Sequence, residues 1–240
     1  CDLTRRASAR QITAVVPYYG YARADRKTAG RESIAAKLTA NLLVKSGVDR
    51  VLAMDLHSAQ TQGYFDIPCD HIYGSPVLVD YLSAQDLGEV VVVSPDVGGV
   101  ARARAFAKQM NGAPLAIIDK RRTGHNMAES LTVIGDVSGR TAILIDDMID
   151  TGGTICSGAK LLREQGATGV IACATHPVFS PPAIERLSVE GLFEQVVVTN
   201  SIPIASNQAF PQLHVLSVAN MLGEAIWRIH EESSVSSMFR

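Results

Sequence analysis

Short apolar runs recur along the chain and alternate with segments of helical periodicity. The run TAILI at residues 141–145 is typical of them: it is too short for a helix and contains no charged position. Such runs indicate strands that are buried on both faces of a parallel sheet. On this criterion the predicted strands are Ile12–Pro17, Val51–Leu56, Val90–Ser94, Leu115–Asp119, Leu131–Gly135, Thr141–Ile145, Val170–Ala174, Gln195–Thr199 and Leu213–Leu216.

Helices are predicted between most of these strands, because apolar residues there recur three or four positions apart. In the first of them, Ser33 is the predicted N-cap, Ile34, Leu38 and Leu42 form the apolar face, and Gly47 ends the helix. The other predicted helices are Pro76–Leu82, Ala101–Met110, the segment from Ile155 to Gly166, Pro182–Leu187 and Val218–His230. Alternating strands and helices predict an α/β fold with mainly parallel, helix-flanked sheets.

The composition and net charge of the chain exclude several classes of protein. The chain of 240 residues is 47% hydrophobic and 19% charged, which is typical of a folded globular protein, and its net charge of −2 gives no bulk electrostatic case for binding nucleic acid. No apolar run approaches the ~20 residues that a membrane span needs. The four cysteines are scattered without a C-x-x-C pair and no signal-peptide pattern is present, so we expect free thiols and a cytoplasmic location.

The most informative stretch is TAILIDDMIDTGGT, residues 141–154, in which a buried strand leads to two acids and then to a glycine turn before a helix. The first N–H groups of a helix, together with its dipole, form an anion site. Adjacent carboxylates are suited to accept hydrogen bonds from vicinal hydroxyls or to reach a bound Mg²⁺. A sugar phosphate would satisfy both halves, and the candidate residues are Asp146, Asp147, Asp150, Thr151, Gly152, Gly153 and Thr154.

A simpler interpretation of this stretch is a capped helix after an ordinary strand–helix loop, with Asp147 and Asp150 as surface charges. The complete ordered string favours the ligand site over that interpretation. No Walker lysine follows the glycines, which argues against a P-loop NTPase.

The same string resembles the phosphoribosyl-diphosphate loop of the type I phosphoribosyltransferase superfamily. A second segment, DLHSAQTQGYFDIPCD at Asp55–Asp70, resembles the signature of the ribose-phosphate diphosphokinase family. With the ARADRK and KRR segments and the SVSSMF ending, the resemblance covers nearly the whole chain. It implies two phosphoribosyltransferase-type domains, residues 1–69 with the tail 229–240 and residues 70–228. The chain opens on CDLTRRASAR, which looks like the end of a helix, so we expect the first domain to be incomplete and an N-terminal part to be missing.

The resemblance also implies an activity: transfer of the β,γ-diphosphoryl group of Mg-ATP to the 1-hydroxyl of ribose 5-phosphate, which feeds nucleotide biosynthesis. Residues Thr151–Thr154 would hold the 5-phosphate, with Asp150 against that turn, and Asp146 and Asp147 would face the ribose hydroxyls. Lys120 and Arg122 resemble the catalytic residues of a basic flexible loop, Arg122 also contacting ribose 5-phosphate. ATP would contact Arg23, Asp25 and Lys27, and Mg²⁺ would bind His57 and Asp96.

Family resemblance further implies a homo-oligomer, built from dimers into a hexamer, with phosphate and ADP as effectors. The sequence departs from many relatives at Ala24, where they carry glutamine. Three alternatives stay open at this point: a phosphoribosyltransferase with the same sugar-phosphate site, a non-catalytic regulatory relative, and a fragment that is unable to fold.

Overall fold

A computed structural model of the chain, which describes residues 1–121 and 130–239, contains the predicted alternation of strands and helices. The chain divides into unit 1, Cys1–Gly74 with Ala219–Arg240, and unit 2, Ser75–Val218. Within the described part of the chain, no helix combines the length and the apolar character that crossing a bilayer requires.

Unit 1 contains a three-stranded parallel sheet in the order β1-β2-β3. Its elements, numbered in chain order, are α1 (Asp2–Arg6), β1 (Thr13–Val16), α2 (Ala35–Lys45), β2 (Arg50–Met54), a 3₁₀ helix (Ala59–Tyr64), β3 (Cys69–Ile72), α7 (Ala219–His230) and a second 3₁₀ helix (Val235–Phe239).

The strand β3 lies in a segment where the apolar pattern predicted no strand. Its sequence, Cys-Asp-His-Ile, has no apolar pattern that would indicate a strand. The strand is defined by its pairing with β2, from Val51 opposite Cys69 to Met54 opposite Ile72. A bidentate ion pair reinforces this pairing, because the Nε and Nη2 atoms of Arg50 donate to the carboxylate of Asp70 at 2.6 and 3.0 Å.

The predicted start and apolar face of α2 are wrong. The helix begins at Ala35 rather than after a Ser33 cap, and Leu38 and Leu42 are 56% and 62% exposed. The buried positions are Ala36 and Ala40, because small side chains let the helix lie close to its neighbours. The leucines therefore form an apolar stripe on the surface of unit 1.

Unit 2 contains a seven-stranded sheet in the order β10-β9-β8-β7-β4-β5-β6, in which β6 alone is antiparallel to its neighbour. This confirms the predicted α/β class with mainly parallel sheets. The elements are α3 (Ser75–Ser83), β4 (Val90–Ser94), α4 (Val100–Gln109), β5 (Leu115–Arg121), β6 (Ser130–Ile134), β7 (Thr141–Ile149), α5 (Gly153–Glu164), β8 (Gly169–Pro177), α6 (Ala183–Leu187), β9 (Gln195–Thr199), a 3₁₀ turn (Ser206–Gln208) and β10 (Leu213–Leu216).

Helices cover both faces of this sheet, and alternate strand residues serve the two cores. Val91 and Val93 of β4 belong to the cluster that includes α5, whereas Val92 belongs to the cluster that includes α3 and α4. Because both faces are buried, the strands read as continuous apolar runs in the sequence.

Three strands of unit 2 extend beyond their predicted ends, and one of them is β8, which continues from Ala174 to Pro177. Strand β7 continues from Ile145 to Ile149, and β5 continues from Asp119 to Arg121. In each case a neighbouring strand continues the ladder past the last apolar residue, as shown by the pairs Ile149 with Pro177 and Lys120 with Leu131.

Candidate active site

The strand order of unit 2 reverses between β4 and β7. These strands are neighbours, with Val90 opposite Thr141 and Val93 opposite Leu144, while β5 and β6 lie on one side and β8 to β10 on the other. Open α/β sheets bind ligands at the carboxyl ends of the strands beside such a reversal. Asp96 follows β4 and Asp146 lies in the last part of β7, so both acids are at this edge.

Asp146 and Asp147 are held by one arginine from α4. The Nη1 atom of Arg102 lies 3.2 Å from Oδ1 of Asp146 and 3.5 Å from Oδ1 of Asp147, and the Asp147 N–H donates to Oδ1 of Asp146 at 2.9 Å. Asp147 is buried. Burial, reinforced by the hydrogen bond and charge of Asp147, raises the pKa of Asp146 above its ordinary value, and the Arg102 guanidinium opposes that rise.

The glycine turn begins α5 in the geometry that an anion site needs. Gly152 is the N-cap residue with φ of 72°, a left-handed conformation that favours glycine, and α5 starts at Gly153. Thr151 and Thr154 are exposed at this end of the helix. The first N–H groups of the helix, the positive end of its dipole and two hydroxyls thus lie together.

Helix α6 packs against this glycine turn. A Cβ built on Gly152 would be 3.6 Å from the Cα and carbonyl oxygen of Ala183, and the Nη1 atom of Arg186 donates to the carbonyl oxygen of Thr151 at 3.0 Å. The arginine places a positive charge beside the turn, which favours an anionic ligand there.

Lys120 lies in β5 and not in the predicted loop after it, and its side chain is exposed. The backbone of β5 and β6 therefore fixes the position of its Cα atom. Arg122, its predicted partner in the basic loop, lies outside the described residues.

The side chain of Asp96 is exposed and also accepts a hydrogen bond within its own loop. One of its oxygens, Oδ1, accepts a hydrogen bond from the Gly99 N–H at 2.8 Å, which holds the turn that leads into α4. Among the described residues, no cluster of three or more His, Cys, Asp or Glu side chains could hold a metal ion, so an Mg²⁺ ion at Asp96 would take most of its ligands from water and substrate.

His57 follows β2 in unit 1 and is exposed. The backbone next to it is fixed by two polar side chains: Nε2 of His71 accepts from the Leu56 N–H at 3.0 Å, and Oδ2 of Asp55 accepts from the Gly74 N–H at 2.7 Å. Asp55 has φ of 40°, in the left-handed region. Such strain in a non-glycine residue is typical of functional loops.

Arg23, Asp25 and Lys27 lie in a loop of unit 1, where Arg23 and Lys27 are exposed and Asp25 is half-buried. Hydrogen bonds to the backbone anchor this loop. The Tyr64 hydroxyl donates to the carbonyl oxygen of Asp25, and the Ala36 N–H donates to that of Ala24 at 3.2 Å. The backbone carbonyl of Ala24 therefore has a role that does not depend on the side chain at that position.

Sequence reasoning missed Arg102, Arg186, Tyr64 and His71. Arg102 lies six residues after Asp96, in the first turn of the helix that follows the end of β4. This position in the sequence could have indicated a side chain near the site. The other three act on backbone groups far away in sequence, such as Tyr64 on Asp25, and no local pattern indicates such contacts.

A doubly wound α/β unit with paired acids and a glycine turn at its strand reversal is a sugar-phosphate- or nucleotide-binding architecture. Comparisons with known proteins are more specific. Residues 1–47 match the family model described as "N-terminal domain of ribose phosphate pyrophosphokinase", and residues 123–240 match that of the "Phosphoribosyl synthetase-associated domain".

Relatives match over the full chain. The ribose-phosphate pyrophosphokinase of Parasynechococcus marenigrum is 89% identical over 239 residues, which cover 100% of this chain and 72% of that protein. The enzyme of Synechococcus elongatus is 76% identical with the same coverage. A solved structure, the phosphoribosylpyrophosphate synthetase of Mycobacterium smegmatis, superposes with a TM-score of 0.90 at 47% identity, over 97% of this chain and 76% of that one. The chain belongs to the ribose-phosphate pyrophosphokinase family.

Proposed function

We propose that this protein transfers the β,γ-diphosphoryl group of ATP to the 1-hydroxyl of ribose 5-phosphate, giving 5-phosphoribosyl 1-diphosphate and AMP. The observation that carries the proposal is the identity of 70–89% with enzymes of this name over the whole chain. The geometry of unit 2 supports the sugar-phosphate half of the reaction independently.

The turn at Thr151–Thr154 is the proposed site of the 5-phosphate. Free N–H groups at the start of a helix bind phosphate without a cationic side chain, and the left-handed Gly152 leads the chain into that helix. Exposed hydroxyls of Thr151 and Thr154 add two donors, and the arginine behind the turn adds positive charge.

Asp146 and Asp147 are the proposed acceptors for the ribose hydroxyls, with Asp150 beside the turn. Carboxylates accept two hydrogen bonds from a vicinal diol with good geometry, and these bonds orient the sugar. Orientation matters because the 1-hydroxyl must attack the β-phosphorus in line with the leaving AMP oxygen.

Lys120 and Arg122 are the proposed catalytic residues. Diphosphoryl transfer spreads negative charge over the oxygens of the moving group, and preorganised cations stabilise that charge in the transition state. Strand pairing of Lys120 with Leu131 supports such a role, because a backbone held on a sheet loses little entropy when the substrate binds.

Arg23, Asp25 and Lys27 stay the predicted contacts to ATP. Their loop is anchored through the Tyr64 hydroxyl, which supports a preformed binding segment. His57 and Asp96 each stay a predicted ligand of Mg²⁺, which would neutralise charge on the ATP phosphates when bound.

Self-association into dimers and a hexamer, with phosphate and ADP as effectors, is part of the proposal. Its support is the apolar stripe of Leu38 and Leu42 on α2 and the exposed Ile226 and Trp227 on α7, at 45% and 56% exposure. Exposed apolar side chains of this size are typical of subunit interfaces. Light scattering with and without phosphate or ADP measures both points, and a monomer at every condition would contradict them.

Phosphorus NMR of ATP, Mg²⁺ and ribose 5-phosphate with the purified protein tests the reaction. We expect AMP and a new sugar-linked diphosphate. ADP as the product would instead indicate transfer of the γ-phosphoryl group alone. Consumption of 5-phosphoribosyl 1-diphosphate only in the presence of a nucleobase would indicate a phosphoribosyltransferase, and no turnover at all would indicate a regulatory relative.

A matched pair of isosteric variants links the reaction to the site. Asp147→Asn removes the charge of the buried acid, whereas Asp86→Asn makes the same change on an exposed residue before β4, at the opposite edge of the sheet. Only the first variant is expected to lose product formation.

A further inference from the structure

Arg102 lies at the edge of the sheet where the strands beside the reversal end. The sequence did not indicate a role for it. It lies in the first turn of α4, and its side chain is 26% exposed. One nitrogen, Nη1, stands between the two acids, at 3.2 Å from Asp146 and 3.5 Å from Asp147. Its geometry is that of a bridge between two carboxylates rather than of a surface ion pair.

Two adjacent carboxylates in a poorly solvated position repel each other, and the pair lowers its free energy either by binding a cation or by taking up a proton. A protonated acid donates one hydrogen bond and loses part of its capacity to accept. The positive charge beside the pair therefore determines what the sugar hydroxyls bind: two hydrogen-bond acceptors, or one acceptor and one donor. Burial and Asp147 raise the pKa of Asp146, and Arg102 is the charged group that opposes this rise.

Gly99 is needed for close packing at the end of β4. A Cβ built on it would be 2.9 Å from Oγ of Ser94, which is too close, whereas Nη1 of Arg102 would lie at an ordinary contact distance of 3.9 Å. The guanidinium therefore passes beside this glycine without depending on it.

We propose that Arg102 is a positioning residue, which holds Asp146 and Asp147 as a pair of acceptors aimed at the vicinal hydroxyls of the sugar and so determines the preference for ribose over 2-deoxyribose. This inference rests on the proposed function. A contact to the 5-phosphate would be unaffected by Arg102, since the phosphate turn is supported by α6.

The experiment compares AMP formation from ATP with ribose 5-phosphate and with 2-deoxyribose 5-phosphate, in the wild-type protein and in Arg102→Ala, Arg102→Lys and Arg104→Ala. Arg104 is the matched control, because it is exposed on the same helix. We expect Arg102→Ala to lower kcat/KM for ribose 5-phosphate about tenfold or more, the usual consequence of losing a hydrogen bond to a charged group. The ratio between the two sugars should fall toward one.

Arg102→Lys should recover part of the ratio, because it keeps the charge but not the planar geometry. Arg104→Ala should leave both substrates unchanged. Equal losses for both sugars in Arg102→Ala, or a wild-type protein without preference for ribose, would overturn the inference. If Arg102→Ala does not fold, the lysine variant decides: a ratio equal to that of the wild type, with an unchanged KM, contradicts a positioning role.

The proposed function has its own control in the same experiment. Absence of AMP formation by the wild-type protein with ribose 5-phosphate contradicts the proposed reaction, whereas an active wild type whose sugar preference is independent of Arg102 contradicts only the inference.

Discussion

Replacing Gly152 by alanine tests the phosphate turn directly. The residue has φ of 72° and precedes the first residue of α5. An added Cβ would make only ordinary contacts, 3.6 Å from Ala183 and Leu187, so no steric clash accompanies the change. The expected effect is therefore the conformational cost alone.

That cost is about 1–2 kcal/mol for an L-residue in the left-handed region. For a domain of this size it corresponds to a decrease of roughly 2–8 °C in Tm. If the turn relaxes to avoid the strain, the helix N–H groups move away from the phosphate. Loss of one charge-assisted hydrogen bond then raises the KM for ribose 5-phosphate about tenfold or more.

Gly191→Ala is the matched control. Gly191 also has φ of 72° in unit 2, with nothing within 4 Å of an added Cβ, and it lies before β9, at the sheet edge opposite the site. Thermal unfolding and steady-state AMP formation are measured for both variants. Both should lose similar stability, but only Gly152→Ala should change the KM for ribose 5-phosphate. An unchanged KM in Gly152→Ala would refute the assignment of this turn to the phosphate.

Three further predictions concern single side chains. Lys120→Ala should lower kcat by a factor of about 100 to 1,000, as expected when a preorganised donor is lost, whereas the exposed Lys108→Ala should not; similar kcat values would contradict the catalytic role. Tyr64→Phe, which removes the hydroxyl bound to Asp25, should raise the KM for ATP and leave that for ribose 5-phosphate unchanged, and a change in the latter alone would argue against an ATP segment. Burial raises the pKa of Asp146 above its ordinary value of about 4 in the unfolded chain, so above pH 4 the native state holds more of this proton than the unfolded state does, and the free energy of unfolding should decline as the pH rises from about 4 through the raised pKa. Denaturant unfolding of Asp146→Asn should lack that part of the decline, and identical pH profiles would contradict the raised pKa.

The sequence alone indicated the elements whose formation depends on local patterns. The apolar runs of β4 and β7 predict buried strands because both faces of the sheet are covered. The order of acids, glycines and threonines at residues 146–154 predicts an anion site because helix starts have the same electrostatics in every fold. Both features can be predicted without knowing which segments pack around them.

Strand ends, helix faces and ion pairs depended on the tertiary structure. Strands β5 and β7 continue through charged residues because neighbouring strands supply hydrogen bonds, and α2 exposes its leucines because its alanines fit the core more closely. β3 likewise exists through its pairing with β2.

The position of Arg102 was also decided by the tertiary structure. Its side chain contacts the two acids because α4 packs against the sheet beside β7 and brings it to residues 44 and 45 positions further along the chain. The sequence indicated which side chains are candidates for the chemistry and on which edge of the sheet they lie, because both follow from local order. Their pairing, burial and charge balance arise from contacts between distant segments, and only the folded chain creates those contacts.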